Sequence, residues 1–380
     1  MPKVYRTIIL GAGPAGLNAA RFIQGDSLVL DRKKEVGLPI RCGEGLSLHA
    51  LERESLPIQS EWVNARIRQI KRIMPNGKHW GNPHEAPYAL IVNKEGFEKY
   101  LAGMISSEIV LNAHIVDIKR EGDLWKITTS GNDIYRGEYI VGADGPSSLT
   151  AKTIFDYTYT LVPGINYEVT FERPVVKDEL QMYFGEKLAP KGYGWIFPYS
   201  TYTANIGLLI KTGGKPKGYY ERFLEDIVRP LYGQYQLGKQ KSGTMPINGF
   251  PVSVVKDNAL LVGDAGAFTD PIFSGGISLA MLTGRLAADS INDDCPDHYQ
   301  ESIDALPFTG KTLSRAQEIF YGFDDETLNQ LGEVLHGKST SYINTEEGQK
   351  DFMSKPALRV HMKDVAEFAK TWKAAKEYLW

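Results

Sequence analysis

Two stretches of this 380-residue chain carry side chains of the kinds that do chemistry. In LPIRCGEGLS, residues 38–47, a thiol and a carboxyl stand two positions apart as Cys42 and Glu44. Either could pass a proton to a bound molecule, and Cys42 could instead orient a substrate or tune a cofactor. A thiol with an ordinary pKa of about 8.5 is a weak acid for that work, which makes Glu44 the second candidate for the proton. The other stretch is glycine-rich: Gly11, Gly13 and Gly16 form GxGxxG, and Asp31 follows twenty positions after Gly11. The first glycine permits a tight turn, the second lets a pyrophosphate approach the backbone, and the third lets helix and strand pack closely. An acid at that distance meets a ribose hydroxyl, so the set reads as a dinucleotide site.

Metal chemistry has no comparable support. The 2 cysteines, Cys42 and Cys295, are separated by most of the chain and leave no zinc spacing, CxxC pair or iron–sulfur ligand set. Among 7 scattered histidines, His79 and His84 bracket a Gly-Asn-Pro turn and lack the i, i+4 spacing of a helical metal site. No bound metal is expected, and redox chemistry would need another carrier.

Elements must hold these residues in place. TIILGAGPAGLNAARFIQGDSLVLD reads as a buried strand, a glycine turn, a helix and a second buried strand. Free amides at the helix start would meet phosphates, and Ser274, Gly275 and Gly276 leave amides open at a second helix start. Residues 108–145 alternate with period two, with turn signals at Glu121-Gly122 and Gly131-Asn132, and read as a β-meander. Residues 155–212 are strand-rich and predict a second sheet. Within it Tyr193, Trp195 and Phe197 would share one face, either as an apolar substrate wall or as ordinary core. From about residue 300 the pattern turns helical, with Val365, Phe368, Trp372 and Ala375 on one face.

The length allows more than one core. Apolar content of 42%, charged content of 23% and a net charge of -3 describe a globular chain with no bias toward nucleic acid. No apolar run approaches the roughly 20 residues that span a bilayer. The opening strand, broken by glycines, does not read as a secretory signal. The expected location is cytoplasmic, or at most peripheral at the inner face of a membrane.

YIVGADGPSS (139–148) and NALLVGDAGAFTDPIFSGGISLAMLTGRLAADSI, taken with the N-terminal unit, resemble the three ordered motifs of the para-hydroxybenzoate hydroxylase-type flavoproteins. That resemblance implies FAD. Gly11, Gly13, Gly16 and Asp31 would serve its adenosine diphosphate half and Asp264 its ribityl chain, and Ala12, Pro14, Ala15, Arg32 and Val116 would also bind it. Arg41, Cys42, Gly43, Asp144, Gly145, Gly263, Pro271, Ser274, Gly275, Gly276 and Ile277 would line the remainder. The implied fold is α/β: a Rossmann-like FAD-binding domain with a β-meander (1–58, 88–153 and 250–305), a mixed-sheet substrate domain (59–87 and 154–249) and a helical C-terminal tail (306–380).

PIRCGEG and YGWIFPYSTYTANIG (193–207) narrow the resemblance to the geranylgeranyl reductase family. It implies reduction of isolated double bonds in a prenyl chain, either of an archaeal-type membrane lipid or of a quinone or chlorophyll side chain. Hydride would come from the flavin and a proton from another group. Cys42 and Glu44 would be catalytic, with Tyr193, Trp195, Phe197 and Pro198 against the substrate. With no second GxGxxG and no cluster ligands, the sequence does not name the electron donor, and a ferredoxin, a separate reductase and transient use of NAD(P)H stay open. Other readings are an aromatic monooxygenase of the same fold and a non-catalytic flavin or lipid-binding protein. A tryptophan halogenase would need a lysine in a tryptophan-rich motif after the first βαβ unit, which the chain lacks.

Overall fold

The computed structural model describes residues 3–212, 215–247, 249–307 and 312–379. Its first sheet is built on β1 (Val4–Leu10), which runs parallel to β2 (Ser27–Leu30) on one side and to β11 (Ile134–Gly142) on the other. Beyond them lie β8 (Glu108–Val110) next to β2, and β19 (Ala259–Leu261) with β18 (Val255–Lys256) next to β11. β1, β2 and β19 are buried almost throughout, the burial expected of parallel strands covered on both faces.

Gly11 ends β1 with φ +117°, and a β-carbon there would lie 2.2 Å from the Ala143 carbonyl oxygen, so no other residue fits the turn. The helix α1 (Pro14–Phe22) follows and lies on α7 (Ile277–Asn292). Their approach depends on Gly284, whose β-carbon would come within 2.3 Å of the Ala15 carbonyl oxygen. A buried polar cluster ties this pair to α2 (Leu48–Arg53): Asn18 Nδ2 donates to Glu54 Oε2 at 2.9 Å and to the Met281 carbonyl at 2.7 Å.

The meander consists of β9 (Ile115–Glu121), β10 (Leu124–Thr129) and β11, paired antiparallel. Glu108–Val110, which period two alone assigns to the meander, instead adds parallel to β2. The helix α3 (Lys94–Ala102) precedes it, and such crossovers join parallel strands.

A second sheet runs β16 (Tyr235–Gln240), β12 (Leu161–Phe171), β15 (Thr203–Leu209), β14 (Tyr193–Pro198), β13 (Glu179–Tyr183), β5 (Gln69–Ile73) and β6 (His79–Trp80), with β17 (Gly243–Pro246) also on β12. One face packs Ile196, Ile206 and Leu208 against Phe223 and Val228, which belong to the helical run from α5 (Lys217–Phe223) to α6 (Arg229–Tyr232). The other face joins the core of the first sheet. A small third sheet, β3 (Gly45–Ser47), β7 (Ala89–Val92) and β4 (Val63–Ile67), spans the junction. The chain therefore reaches the second sheet only at Gln69, because β4, inside the expected 59–87 segment, pairs with β7.

The helix α4 (Leu149–Phe155) follows β11, and α8 (Asp297–Asp304) follows α7. Then come α9 (Thr312–Phe320), α10 (Asp325–Leu335), α11 (Glu346–Ser354), α12 (Pro356–Val360) and α13 (Met362–Leu379). Val365 and Ala375 are buried, with Phe368 and Trp372 packed against the same core, so the apolar face of α13 turns inward. Among the described residues no helix is long and apolar enough to cross a membrane.

Candidate active site

Three turns meet at the carboxyl edge of the first sheet. A β-carbon on Gly263 would lie 2.8 Å from Ala15 Cβ and 3.4 Å from Ala280 Cβ, which puts the starts of α1 and α7 and the Gly263-Asp264 turn side by side. Neither helix start carries a side-chain cap, so first-turn amides remain open for negatively charged groups. Above the turns the space is free: a β-carbon on Gly13 or Gly145 would meet nothing within 4 Å. Asp31, 5% exposed, accepts from Ala12 N at 2.6 Å and Lys33 N at 2.7 Å, and its remaining lone pairs suit ribose hydroxyls. These residues fit FAD.

Other expected cofactor residues divide by what they touch. Asp144 accepts from Ser148 Oγ, Thr150 N and Thr150 Oγ1 and so braces the start of α4. Asp264 accepts from Thr269 Oγ1 at 2.8 Å, and burial pushes its carboxyl pKa up. Ser274 takes φ +60° in the loop before α7, where the buried Asp270 Oδ2 has no hydrogen-bond partner among the described residues. Pro271 and Ile277 are buried, while Arg32, Arg41 and the half-exposed Val116 face solvent.

Cys42 is half-buried, and enclosure of its sulfur raises the thiol pKa while the Lys94 ammonium pulls it the other way. The charges of Glu44 and Asp264 also act on it, each pushing its pKa up. Lys94 is partly buried beside Glu98, which is fully enclosed and also pairs with Lys33 at 3.4 Å. Burial disfavours the charge on Lys94, but Glu98, Cys42 and Glu44 outweigh it and raise its pKa.

The backbone of the cysteine turn is held from the second sheet. Asn166 Nδ2 and Asn205 Nδ2 both donate to the Cys42 carbonyl, at 3.2 and 3.1 Å. Glu44, 1% exposed with φ +70°, accepts at Oε1 from Lys94 N and at Oε2 from Tyr199, Asn205 and Lys241. Among the described residues four donors meet this carboxylate.

Tyr193, Trp195 and Phe197 do share a face of β14, with ring centroids 5.8 and 6.1 Å apart in sequence. That face looks onto the cysteine turn: a β-carbon on Gly43 would lie 3.2 Å from the Phe197 ring and 3.8 Å from Trp195 Nε1. Trp195 Nε1 donates to Asn205 Oδ1 at 3.0 Å, and Tyr193 Oη donates to the Phe273 carbonyl at 2.5 Å. Strand alternation sends Pro198 to the opposite face with Gly194 and Ile196, away from this wall.

Sequence reasoning missed Lys94, Asn166, Tyr199, Asn205 and Lys241. A signal existed for the two asparagines, each of which directly adjoins an isoleucine in a strand and is 3% or 0% exposed. Buried amides need partners, so such positions mark a polar network. Among the described residues, no group of three or more His, Cys, Asp or Glu side chains could hold a metal ion.

A family model described as the geranylgeranyl reductase catalytic domain matches residues 162–237, from β12 to β16. Digeranylgeranylglycerophospholipid reductase 3 of Methanosphaera stadtmanae is 30% identical over 376 residues, covering 90% of this chain and 94% of that protein. The digeranylgeranylglycerophospholipid reductase of Methanocaldococcus jannaschii is 26% identical, covering 95% of this chain and 98% of its own. In fold, the chain resembles the crystal structure of a geranylgeranyl bacteriochlorophyll reductase-like protein from Thermoplasma acidophilum, with a TM-score of 0.81 and 22% identity over 96% of this chain and 100% of that one. The flavin-dependent brominase Bmp2 shares the fold at a TM-score of 0.64 and 17% identity, over 99% of each chain. With sequence likeness running nearly end to end and the site residues fitting FAD, the chain belongs to the geranylgeranyl reductase family of FAD-dependent oxidoreductases.

Proposed function

We propose that this protein is an FAD-dependent reductase that saturates carbon–carbon double bonds in geranylgeranyl or related prenyl chains of archaeal-type membrane lipids. The observation that carries this reading is the aromatic face of Tyr193, Trp195 and Phe197 closed over the Cys42-Gly43 turn, beside the open space of the nucleotide turns. Bound and reduced FAD supplies two electrons and one hydrogen to the double bond. The second hydrogen arrives as a proton, and Cys42 Sγ is the group we assign to it. Burial raises its pKa, so the thiol holds that proton at neutral pH but is a weaker acid than a free thiol, and the proton can leave it only as the electron pair arrives at the neighbouring carbon. Glu44 has a positioning role: with both oxygens taken up by donors, it anchors the turn that carries Cys42. The aromatic face orients an apolar chain, excludes water and stabilises positive charge that develops on the protonated alkene. Asn166 and Asn205 fix the cysteine turn against that face. Electrons reach FAD from an external donor, a ferredoxin or NAD(P)H.

The test is anaerobic. Protein reduced with dithionite is mixed with a geranylgeranyl lipid, and flavin reoxidation is followed together with the lipid mass. Reoxidation with a gain of two hydrogens per double bond is the expected result. Reoxidation only on admitting oxygen, with oxygen found in a small aromatic product, would assign the site to monooxygenase chemistry instead.

A further inference from the structure

Three consecutive carbonyls in the loop before α7 are taken by side chains from distant parts of the chain. The Pro271 carbonyl accepts from Lys211 Nζ and from Gln317 Nε2, the latter at 2.8 Å. The Ile272 carbonyl accepts from Lys211 Nζ at 3.3 Å and from Tyr321 Oη at 2.5 Å, and the Phe273 carbonyl from Tyr193 Oη. Tyr193 lies on β14 and Lys211 just past β15, while Gln317 lies on α9 and Tyr321 directly after it.

Lys211 has an unusual set of partners for an ammonium group. It meets two carbonyls and the face of the Tyr321 ring, 4.3 Å from the centroid. Among the described residues the one carboxylate whose field reaches it is that of Asp270. Asp270 is 0% exposed, and its Oδ1 accepts from Ile272 N at 2.8 Å. The peptide group joining Pro271 to Ile272 therefore lies between the two charges, its carbonyl on the ammonium and its N–H on the carboxylate. Hydrogen bonds to charged groups are roughly twice as strong as neutral ones, so this peptide is gripped from both ends. Burial opposes both charges, lowering the Lys211 pKa and raising that of Asp270.

Asp270 passes the hold along the loop. Its N–H donates to the Gly275 carbonyl at 2.9 Å, and its carbonyl accepts from Ser274 N at 2.8 Å. The residues so fixed lead straight into α7, whose start borders the nucleotide turns: a β-carbon on Gly276 would lie 3.2 Å from Asp264 Oδ1. With no side-chain cap there, the first-turn amides are open. Amides aimed at a reduced flavin, which carries negative charge, favour the reduced form.

We propose that Lys211 is a positioning residue for the flavin: by gripping the Pro271 and Ile272 carbonyls opposite Asp270, it holds the amides at the start of α7 in place and so raises the reduction potential of bound FAD. The proposal rests on the FAD site and is independent of the prenyl substrate. It makes the potential depend on how the second sheet, which carries Lys211, is seated on the first.

The test measures the flavin midpoint potential of the full-length FAD-loaded protein against a reference dye under anaerobic reduction, with thermal melting as a folding control. Lys211→Met should lower the potential by about 30 mV or more, a tenfold shift of the two-electron equilibrium. Gln317→Leu/Tyr321→Phe strips donors from the same two carbonyls without changing any charge, and should lower the potential in the same direction. A merely structural role would lower the melting temperature of these variants and leave their potentials at the wild-type value. An unchanged potential in Lys211→Met would overturn the proposal. So would a fall in Lys211→Met with none in the neutral double variant, because Lys211 would then act through its charge alone. If Lys211→Met does not retain FAD, the double variant decides: a lowered potential supports the proposal and a wild-type one overturns it. A wild type that binds no FAD removes the FAD site and this proposal with it. A wild type that binds FAD but reduces no prenyl lipid overturns the substrate reading, and the potentials still decide the role of Lys211.

Discussion

Cys42 and Asn205 carry the most consequence at the scale of single residues. Burial raises the Cys42 pKa and Lys94 opposes that rise, so the reactive thiolate is scarce at neutral pH. Iodoacetamide labelling of Cys42, followed by mass spectrometry across pH, should rise with a midpoint above that of a free thiol. Lys94→Met removes the stabilising cation and should move the midpoint further up; a downward move would contradict the arrangement. Asn205 accepts from Trp195 and Asn166 while its amide donates to the Cys42 carbonyl, Glu44 and Tyr199. Asn205→Leu takes the acceptor from the buried Trp195 N–H and leaves the Asn166 amide only the Cys42 carbonyl, at a cost of about 1–3 kcal/mol for the indole, measurable as a lowered urea midpoint. It should also slow lipid reduction more than it weakens FAD binding, since its contacts are to the cysteine turn and the aromatic face.

Among the elements, the pairing of β14 with β15 sets the aromatic face. Gly207 on β15 lies opposite Trp195, and a β-carbon there would come within 2.1 Å of Trp195 Cζ2 and 2.6 Å of Asn166 Cβ. Gly207→Ala should therefore destabilise by roughly 1–3 kcal/mol through overpacking and displace the indole, read as a shifted tryptophan emission and slower reoxidation with lipid. The C-terminal helices serve the same centre. Gln317 and Tyr321 donate to the carbonyls of Pro271 and Ile272, Lys211 joins them from the second sheet, and Trp372 packs edge-on against Phe273 at 4.8 Å. The region without a recognisable motif thus clamps the loop that precedes α7. Such helices read from sequence only as an amphipathic pattern, because periodicity reports which face is buried and not what it is buried against.

For the whole molecule, FAD should act as a structural ligand, since its expected contacts come from both ends of the first sheet's sequence and from the cysteine turn. Removing the flavin should lower Tm, and adding FAD at a hundredfold excess over its Kd should restore about 2.7 kcal/mol of stability, seen as a melting temperature that climbs with FAD concentration. A Tm independent of FAD would mean that the nucleotide turns do not hold it. The glycine turn, Asp31 and the buried runs of β1 and β2 were legible in the sequence because each depends on local backbone sterics or on a short repeat. So was the common face of Tyr193, Trp195 and Phe197, which strand alternation alone dictates. Contacts between residues far apart in the chain were not legible: β8 left the meander for a parallel neighbour, and β4 paired with β7. Asn166, Asn205, Tyr199 and Lys241 gathered around a turn more than a hundred residues earlier in the chain. The sequence by itself determined the nucleotide-binding unit and the two sheets. Only the tertiary structure decided that both oxygens of Glu44 are met by donors, because a carboxyl's surroundings depend on residues distant in the chain, and here Tyr199, Asn205 and Lys241 come from the second sheet and its ends.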